Sequence, residues 1–352
     1  MDNAQTMNEP VPIAERPLVT FALFAYNQEK YIREAVEGAF SQTYEPLEII
    51  LSDDCSTDRT FEVMQEMAAA YEGPHKVIVR QNSFNLGTAL HVQLAFNESS
   101  GVLFVVAAGD DVSVPERVMV LVTVWDTAGR PEGALHSGRI TFREGEIAAH
   151  VPAKRNRHSD RLLKGYAEAC WLPAAAPTCA YTRGVFERFG PLLGGSIIED
   201  VPLQLRAALI GSFLSCDQPL VRQRQHDNNT GTGYGINSPA RWNRFLQSKI
   251  IAFRTMQSDL ARSDGEIDEG LRSRIEFRIL AVLHSASGLI LPENRSLNRL
   301  ERVRLVLRML SAPAVASRFR VRAEYVLDFL GFEFHQRLKI RLRMLISNSW
   351  RP

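Results

Sequence analysis

The sequence predicts an α/β fold in which a mostly parallel sheet is flanked by helices and followed by a C-terminal helical extension. Apolar runs of strand length alternate with helical patterns over the first 130 residues, and long helical patterns fill the chain after residue 240. Strand–helix alternation of this kind forms βαβ units, whose parallel sheet is covered by helices on both faces. With 352 residues, 45% of them hydrophobic, the chain can bury a full core in one large domain or in two.

Four apolar runs are the predicted strands of this sheet. Uninterrupted apolar runs are typical of parallel strands that are buried on both faces. A helical pattern follows each run; the cluster Asp53–Asp58 can cap the second helix, and Pro115 suits the first position of the fourth. The strands are Leu18–Phe24, Leu47–Leu51, Lys76–Arg80 and Val102–Ala107, and the helical patterns cover 28–40, 61–67, 88–96 and 115–127.

Polar side chains stand where these strands end. In chain order they are Tyr26-Asn27, Asp53-Asp54, Arg80 and Asp110-Asp111. Because ligands of parallel sheets bind at the carboxyl ends of the strands, we expect these residues to converge on one edge. Four carboxylates there would repel one another unless a cation or a donor-rich ligand joined them. The sequence has neither a Gly-x-Gly-x-x-Gly nor a Walker-type loop, which argues against a dinucleotide fold and a phosphate-loop enzyme.

Composition argues against several other classes of protein. No stretch approaches the roughly 20 apolar residues that span a bilayer, and Met1–Glu15 lacks the pattern of a secretory signal. The four cysteines have neither Cys-x-x-Cys nor zinc spacing, which predicts reduced thiols in a cytoplasmic protein. Residues 240–352 carry 21 Lys and Arg against 11 Asp and Glu, which leaves 20 against 29 for residues 1–239. The basic part should therefore face an anionic partner.

Six motifs occur in the order found in one enzyme family. The chain resembles glycosyltransferase family 2, whose members have the GT-A fold, over about residues 17–230. The motifs are Phe24–Asn27 with Ser41–Tyr44, Glu48–Asp58, Asn85–Gly87, Ala108–Asp111, Ile198–Asp200 and Arg224–Asn229. The resemblance implies a Rossmann-like catalytic domain at 17–235, after a flexible leader at 1–16 and before a basic helical region at 236–352.

The resemblance assigns a nucleotide-sugar site to the strand ends. It implies that Tyr26 stacks on the nucleobase, that Asp54 accepts the imide N–H of the base, and that Asp53 supports the nucleoside. Asp110 would meet the ribose, and Arg224 would bind the diphosphate. Further nucleotide-sugar contacts are implied for Phe24, Asn27, Arg80, Asn85 and Gly87. The structural alternative is that the carboxylates cap helices and that Tyr26 and Arg80 are surface side chains.

A divalent cation and a general base complete the implied site. The resemblance implies that Asp111 and His226 bind Mn²⁺ or Mg²⁺, which would neutralise a diphosphate leaving group. Ala108 departs from the family pattern, since many members have an acidic residue at that position. Asp200 is the implied catalytic base of an inverting transfer. Glu199 precedes it, and the helix dipole alone would favour an acid at either position.

These expectations describe a metal-dependent inverting glycosyltransferase of the hexosyltransferase kind. It would move a sugar from a nucleoside-diphosphate donor, of the UDP or dTDP type, to a hydroxyl group. The acceptor would be a saccharide or a lipid-linked saccharide in the synthesis of a bacterial surface polysaccharide or glycolipid. The alternative is a non-catalytic nucleotide-sugar-binding or scaffolding protein, which Ala108 favours. A nucleotidyltransferase would carry a Gly-rich phosphate loop, and the sequence has none.

Three kinds of partner are open for the basic C-terminal region. Residues 299–310 and 335–346 mix arginines with leucines and have no clean apolar face. The helices could pack on the catalytic domain or on a second copy of the chain. They could instead lie on an anionic membrane, which would make the protein peripheral at the cytoplasmic face. Nucleic acid is not expected, because no recognised module is present.

Overall fold

The structure is a computed structural model, and it describes residues 13–143, 146–153, 157–158, 163–167, 174–226, 239–263 and 267–287. Residues 1–12 of the predicted leader lie outside this part of the chain, and so do the basic segments 299–310 and 335–346. None of the helices in the described ranges combines the length and the apolar character that crossing a bilayer requires.

One mixed sheet runs through the described residues. Its strands are β1 (Val19–Ala25), β2 (Leu47–Asp53), β3 (Lys76–Gln81), β4 (Leu103–Ala108), β5 (Val112–Ser113), β6 (Gly133–Arg143), β7 (Glu146–Val151), β8 (Arg157–His158), β9 (Cys179–Thr182) and β10 (Ser212–Arg224). In space they follow the order β3-β2-β1-β4-β9-β6-β10-β5, with β7 beside β6 and β8 beside β10. The α-helices are α1 (Ile32–Phe40), α2 (Thr60–Ala69), α3 (Thr88–Glu98), α4 (Arg117–Thr127), α5 (Gly184–Glu187), α6 (Asp200–Ile210), α7 (Pro239–Arg262) and α8 (Glu269–Ser287).

The first four strands form the parallel half that the sequence predicts. Strand β1 lies between β2 and β4, with Val19 opposite both Leu47 and Leu103, and β3 pairs with the outer side of β2. Every residue of β1 and β2 is buried, and most of these residues are apolar. The buried Glu48 of β2 accepts hydrogen bonds from Thr20 at 3.0 Å and from Lys76 at 2.9 Å. The prediction of an α/β fold built on parallel strands is confirmed.

Two hydrophobic layers cover the two faces of this parallel half. Alternate residues of a strand point to opposite faces. Phe21 and Leu23 therefore join the core formed with α1, α2 and α4, whereas Ala22 and Phe24 join the core formed with α3 and α6. The strand ends remain between these layers, at the edge where the polar residues of the sequence converge.

Two helices begin later than predicted. Residues 28–31 form a turn in which the N–H of Tyr31 donates to the carbonyl of Gln28 at 2.8 Å, so that α1 begins at Ile32. The prediction that Pro115 is the first residue of the fourth helix is wrong, because α4 begins at Arg117. The carbonyl of Pro115 accepts the N–H of Thr43 at 3.0 Å, which ties the turn before α4 to the chain after α1.

Strand β9 joins the parallel half to the rest of the sheet. It is antiparallel to β4 on one side and to β6 on the other, and Tyr181 lies opposite both Phe104 and Ala134. Strands β6 and β10 are parallel neighbours whose register shifts between Cys216 and Val221. Because β9 runs against β4, its first residue, Cys179, lies toward the edge at which β4 ends.

A buried ion pair fastens helix α6 to helix α7. The Nε and Nη2 atoms of Arg206 donate to the two carboxylate oxygens of Asp259 at 2.7 and 3.0 Å. The two side chains are 0% and 1% exposed, and the guanidinium also lies over the ring of Phe189. The helical pattern predicted after residue 240 is confirmed for α7 and α8, and α7 is part of the core beneath α6.

Candidate active site

The ends of β4 and β10 meet at one edge of the sheet. Asp110 and Asp111 follow β4 and are both buried. One carboxylate oxygen of Asp111 accepts the backbone N–H of Arg224 at 2.8 Å, and Nε of Arg224 donates to the carbonyl of Asp110 at 3.2 Å. Nε2 of His226 lies 3.0 Å from Oδ2 of Asp110. The structure thus brings together four of the residues to which the resemblance assigns the ribose, diphosphate and metal.

Two aromatic rings and a carboxylate hold the Arg224 guanidinium. Its carbon atom Cζ lies 4.9 Å from the ring centre of Tyr31 and 4.6 Å from that of Phe142. Nη2 of Arg224 forms an ion pair with Glu34 at 2.8 Å. The ring of Tyr31 also stacks on His226 at 4.7 Å. Stacking of this kind keeps a planar cation in one orientation, which suits recognition of an anion.

Asp110 and His226 offer donor atoms of the kinds that divalent cations bind. Oδ2 of Asp110 and Nε2 of His226 lie 3.0 Å apart, which is an ordinary hydrogen-bonding distance. No three His, Cys, Asp or Glu side chains converge on a metal position within the described ranges. Protein ligands here could therefore fill only part of a coordination shell, and phosphate oxygens and water would fill the rest.

Two arginines face the buried carboxylate of Asp111. Burial raises the pKa of Asp111 well above its ordinary value, and the charge of Asp110 raises it further. The charges of Arg117 and Arg139 act in the opposite direction. Arg117 is fully buried, and its guanidinium donates to Ser113 at 2.9 Å and to the carbonyl of Val106 at 2.8 Å. Two arginine side chains therefore contribute positive charge near Asp110 and Asp111.

The loop after β1 contains an exposed aromatic residue. Tyr26 follows β1 and is 43% exposed, which leaves a ring face open to a ligand. The next residue, Asn27, has a φ of 52°, and its side-chain oxygen accepts the N–H of Thr57 at 2.8 Å. Its backbone N–H donates to Ser56 at 2.8 Å. Asn27 thus joins the loop after β1 to the loop after β2, and this connection sets where Tyr26 lies.

Asp53 and Asp54 are both buried at the end of β2. The carboxylate of Asp53 accepts the N–H of Ser56 at 2.8 Å and the side-chain amide of Gln81 at 3.0 Å. The carboxylate of Asp54 accepts three hydrogen bonds from Asn82 and from the backbone of residues 86–87. Both carboxylates therefore order the loops that follow β2 and β3. The cap of α2 comes from Asp58 instead, which accepts the N–H of Thr60 at 3.0 Å.

Phe24 and Arg80 are engaged within the protein. Phe24 is buried, with its ring against His91 and Phe104. Arg80 donates to Glu98 at 2.9 Å, to Ser52 at 2.6 Å and to Asn82 at 2.8 Å. Asn85 is exposed, and Gly87 is buried with a φ of 78°. Among these four residues, only Asn85 presents an open side chain at the edge.

Two acidic residues stand at the start of α6. Asp200 is its first residue and Glu199 occupies the N-cap position. Burial raises the pKa of Asp200 to about 6. Burial and the charge of Asp200 together raise the pKa of Glu199 to about 8. Burial and mutual repulsion therefore favour one negative charge on this pair of carboxyl groups rather than two.

Sequence reasoning missed several residues of this site. Tyr31, Glu34 and Phe142 surround Arg224, and Arg117 lies behind Asp111. Tyr181 is 1% exposed, its pKa is raised well above the ordinary value by burial, and the charges of Asp200 and Glu199 add to that shift. For Arg117 and Tyr181, the sequence signal was a polar side chain at a buried position that an apolar side chain would ordinarily fill.

Comparison with known proteins matches residues 20–186 to one family. Residues 20–186 match the family described as Glycosyl transferase family 2. The chain is 31% identical over 144 residues to the uncharacterized protein Rv1520 of Mycobacterium tuberculosis, covering 40% of this chain and 41% of that protein. It is 34% identical over 107 residues to an uncharacterized glycosyltransferase of Haemophilus influenzae, covering 30% and 32%. The chain thus spans less than half the length of these curated relatives.

Solved structures share the fold over most of the chain. Staphylococcus aureus TarS, in complex with UDP-GlcNAc, superposes with a TM-score of 0.57 at 17% identity, covering 89% of this chain and 88% of that chain. Mannosyltransferase PcManGT from Pyrobaculum calidifontis, in complex with GDP-Man and Mn²⁺, superposes with a TM-score of 0.52 at 17% identity, covering 90% and 87%. At this identity the likeness establishes the fold, which is the GT-A fold of glycosyltransferases. Residues 20–186 match glycosyl transferase family 2 and contain the first four of the six motifs that the sequence carries.

Proposed function

We propose that the chain is an inverting glycosyltransferase that moves a sugar from a nucleoside diphosphate to an acceptor hydroxyl. The observation that carries the proposal is the convergence of Asp110, Asp111, Arg224 and His226 at the edge where β4 and β10 end. Acidic side chains, a fixed guanidinium and an imidazole at one point suit a diphosphate held with a cation. Membership of residues 20–186 in glycosyl transferase family 2 supports the same activity.

The donor would lie along the ends of β1, β2 and β4. The exposed ring of Tyr26 would stack on the base, and Asn27, Asp53 and Asn85 would shape the nucleoside edge around it. Asp110 would meet the ribose. TarS was solved with UDP-GlcNAc and PcManGT with GDP-Man, which supports a nucleotide sugar as the ligand class. A base of the uracil or thymine type remains our proposal for this chain.

Asp111 and His226, beside Asp110, would supply part of the coordination shell of Mn²⁺ or Mg²⁺, and phosphate oxygens and water would supply the rest. The ion would supply positive charge that stabilises the departing nucleoside diphosphate. Arg224, fixed between Tyr31 and Phe142, would add a second positive charge in a set orientation. The Mn²⁺ in the PcManGT complex supports this use of the fold.

Asp200 would act as the general base. It would accept the proton of the acceptor hydroxyl as the hydroxyl oxygen forms a bond to the anomeric carbon. The bond between that carbon and the diphosphate oxygen would break on the opposite face, so the configuration inverts. Burial and the charge of Asp200 raise the pKa of Glu199, so Glu199 would hold a proton beside the ionised Asp200 and keep a second negative charge away from the attacking oxygen. We place the reaction in bacterial surface polysaccharide or glycolipid synthesis, with a saccharide or lipid-linked saccharide as acceptor.

Donor binding is expected to require a divalent cation and Asp111. Calorimetry with UDP, dTDP, GDP and CMP, each with Mn²⁺ and with EDTA, identifies the preferred nucleotide. For that nucleotide, Asp111→Asn should weaken binding at least tenfold, about 1.4 kcal/mol, because the amide removes a carboxylate oxygen that could bind the cation. Asp217→Asn changes an exposed aspartate of β10 and should leave affinity unchanged. Equal affinity in Mn²⁺ and EDTA would remove the metal from the proposal.

A further inference from the structure

The carboxylate of Asp54 is buried at the end of β2, and both of its oxygens accept hydrogen bonds from the protein. Its Oδ1 accepts the side-chain amide of Asn82 at 2.8 Å and the N–H of Leu86 at 2.9 Å. Its Oδ2 accepts the N–H of Gly87 at 3.0 Å. The side chain is only 3% exposed. Asp54 therefore fixes the turn that leads into α3.

That turn packs directly on the segment that leads into α6. The carbonyl of Leu86 accepts the N–H of Gly195 at 3.2 Å, and the carbonyl of Ser196 accepts the N–H of Ala89 at 3.0 Å. Gly87 has a φ of +78°, and a Cβ atom there would lie 2.9 Å from the carbonyl oxygen of Ser196. Only glycine permits this conformation and this close approach together. Residues 195–196 are thus held against the turn that Asp54 fixes.

Helix α7 holds the same segment from its other side. The hydroxyl of Ser196 donates to the carbonyl of Ser248 at 3.1 Å, and the hydroxyl of Ser248 accepts the N–H of Ile197 at 3.3 Å. The hydroxyl of Ser196 also accepts the N–H of Ile198 at 3.1 Å. Both serines are buried, at 1% and 0% exposure. Hydrogen bonds therefore run without a gap from the end of β2 to the residue before Glu199.

We propose that Asp54 is a positioning residue for Asp200, which it reaches through the turn 86–87 and the segment 195–198. This inference rests on the proposed function, in which Asp200 is the general base. Asp54 sets the distance between the donor edge and the first residue of α6. The role differs from acceptance of the base imide, because both oxygens already accept hydrogen bonds from the chain. Ser248 anchors the far end of the same connection.

Two variants separate positioning from nucleotide recognition. Asp54→Asn replaces an acceptor oxygen by an amide donor that faces other N–H donors. We expect kcat to fall about tenfold or more while the Kd for the preferred nucleotide diphosphate with Mn²⁺ stays within about twofold. Ser248→Ala, on α7 and away from the nucleotide edge, should change kcat and Kd in the same way. Ser258→Ala, an exposed serine on the same helix, is the matched control and should change neither.

The double variant tests whether both residues act through one segment. If they do, Asp54→Asn with Ser248→Ala should lower kcat little more than the more severe single variant. Multiplying effects would mean that the two residues act separately and would overturn the inference. A tenfold rise in the Kd of Asp54→Asn without a change in Ser248→Ala would assign Asp54 to the base instead.

Hydrogen exchange gives a readout that needs no activity. The amides of residues 195–205 should exchange faster in Asp54→Asn and in Ser248→Ala than in the unaltered chain and in Ser258→Ala. Unchanged exchange in either variant overturns the inference, whether or not transfer is observed. Faster exchange in both variants, with no transfer by the unaltered chain, would count against the proposed function alone.

Discussion

Replacing Asp200 by Asn is expected to lower kcat by about 10²- to 10⁴-fold while the donor Kd stays unchanged. The amide has nearly the shape of the carboxylate but cannot accept a proton, so the loss falls on the chemical step. Single-turnover kinetics with the preferred donor measure the step, and calorimetry measures donor affinity. The expectation rests on the position of Asp200 as the first residue of α6, where burial raises its pKa to about 6 and so toward the range in which a carboxylate accepts a proton.

The neighbouring acid provides the matched control. Burial and the charge of Asp200 raise the pKa of Glu199, and Gln has the shape of a protonated Glu, so Glu199→Gln should retain kcat within a few-fold. Loss of transfer in Glu199→Gln, with activity kept in Asp200→Asn, would move the base to Glu199. The pH dependence of kcat provides a further test. A general base must be ionised, so kcat of the unaltered chain should fall as the pH drops below about 6.

Replacing Asp259 by Ala is expected to destabilise the protein by about 3–5 kcal/mol. The change leaves the Arg206 guanidinium, which is 0% exposed, without its partner in the core between α6 and α7. An uncompensated buried charge costs far more than the pair contributes. Urea denaturation followed by circular dichroism measures the free energy of unfolding.

A double replacement separates the charge from the packing. Arg206→Leu with Asp259→Leu removes both charges and leaves apolar side chains beside Phe189, so it should cost much less than Asp259→Ala alone. If the double variant were the less stable of the two, the hydrogen bonds of the pair would matter more than the penalty of an unpaired charge.

The parallel half could be predicted because its signals are local. Each of β1, β2 and β4 reads as an apolar run in the sequence, since all or nearly all of its residues are buried. Strand β9 has only four residues, and its partners β4 and β6 lie far away in the chain. A short run gives too little period to separate strand from helix, and long-range pairing leaves no local mark.

Only those residues of the candidate site that belong to a family motif could be predicted from the sequence. Two distant segments supply Asp110, Asp111, Arg224 and His226. The family resemblance assigned these residues to one site, and the structure shows that they are in contact. No spacing in the sequence places Tyr31 and Phe142 on either side of Arg224, because three separate elements meet there. The three hydrogen bonds of Asp54 depend equally on how two loops meet in space. Such contacts follow from tertiary packing and have no signature in local residue order.

The place of β9 also constrains how the chain can be made and cut. During synthesis β1 to β4 are completed first. The side of β4 that faces away from β1 pairs with β9, so it has no partner until residue 182 has been synthesised. An unpaired strand edge is a template for association with other chains. The parallel half is therefore contiguous in sequence but is not a separable module, because any fragment that ends before β9 leaves the backbone N–H and C=O groups along that edge of β4 unpaired. A workable truncation must begin beyond Thr182.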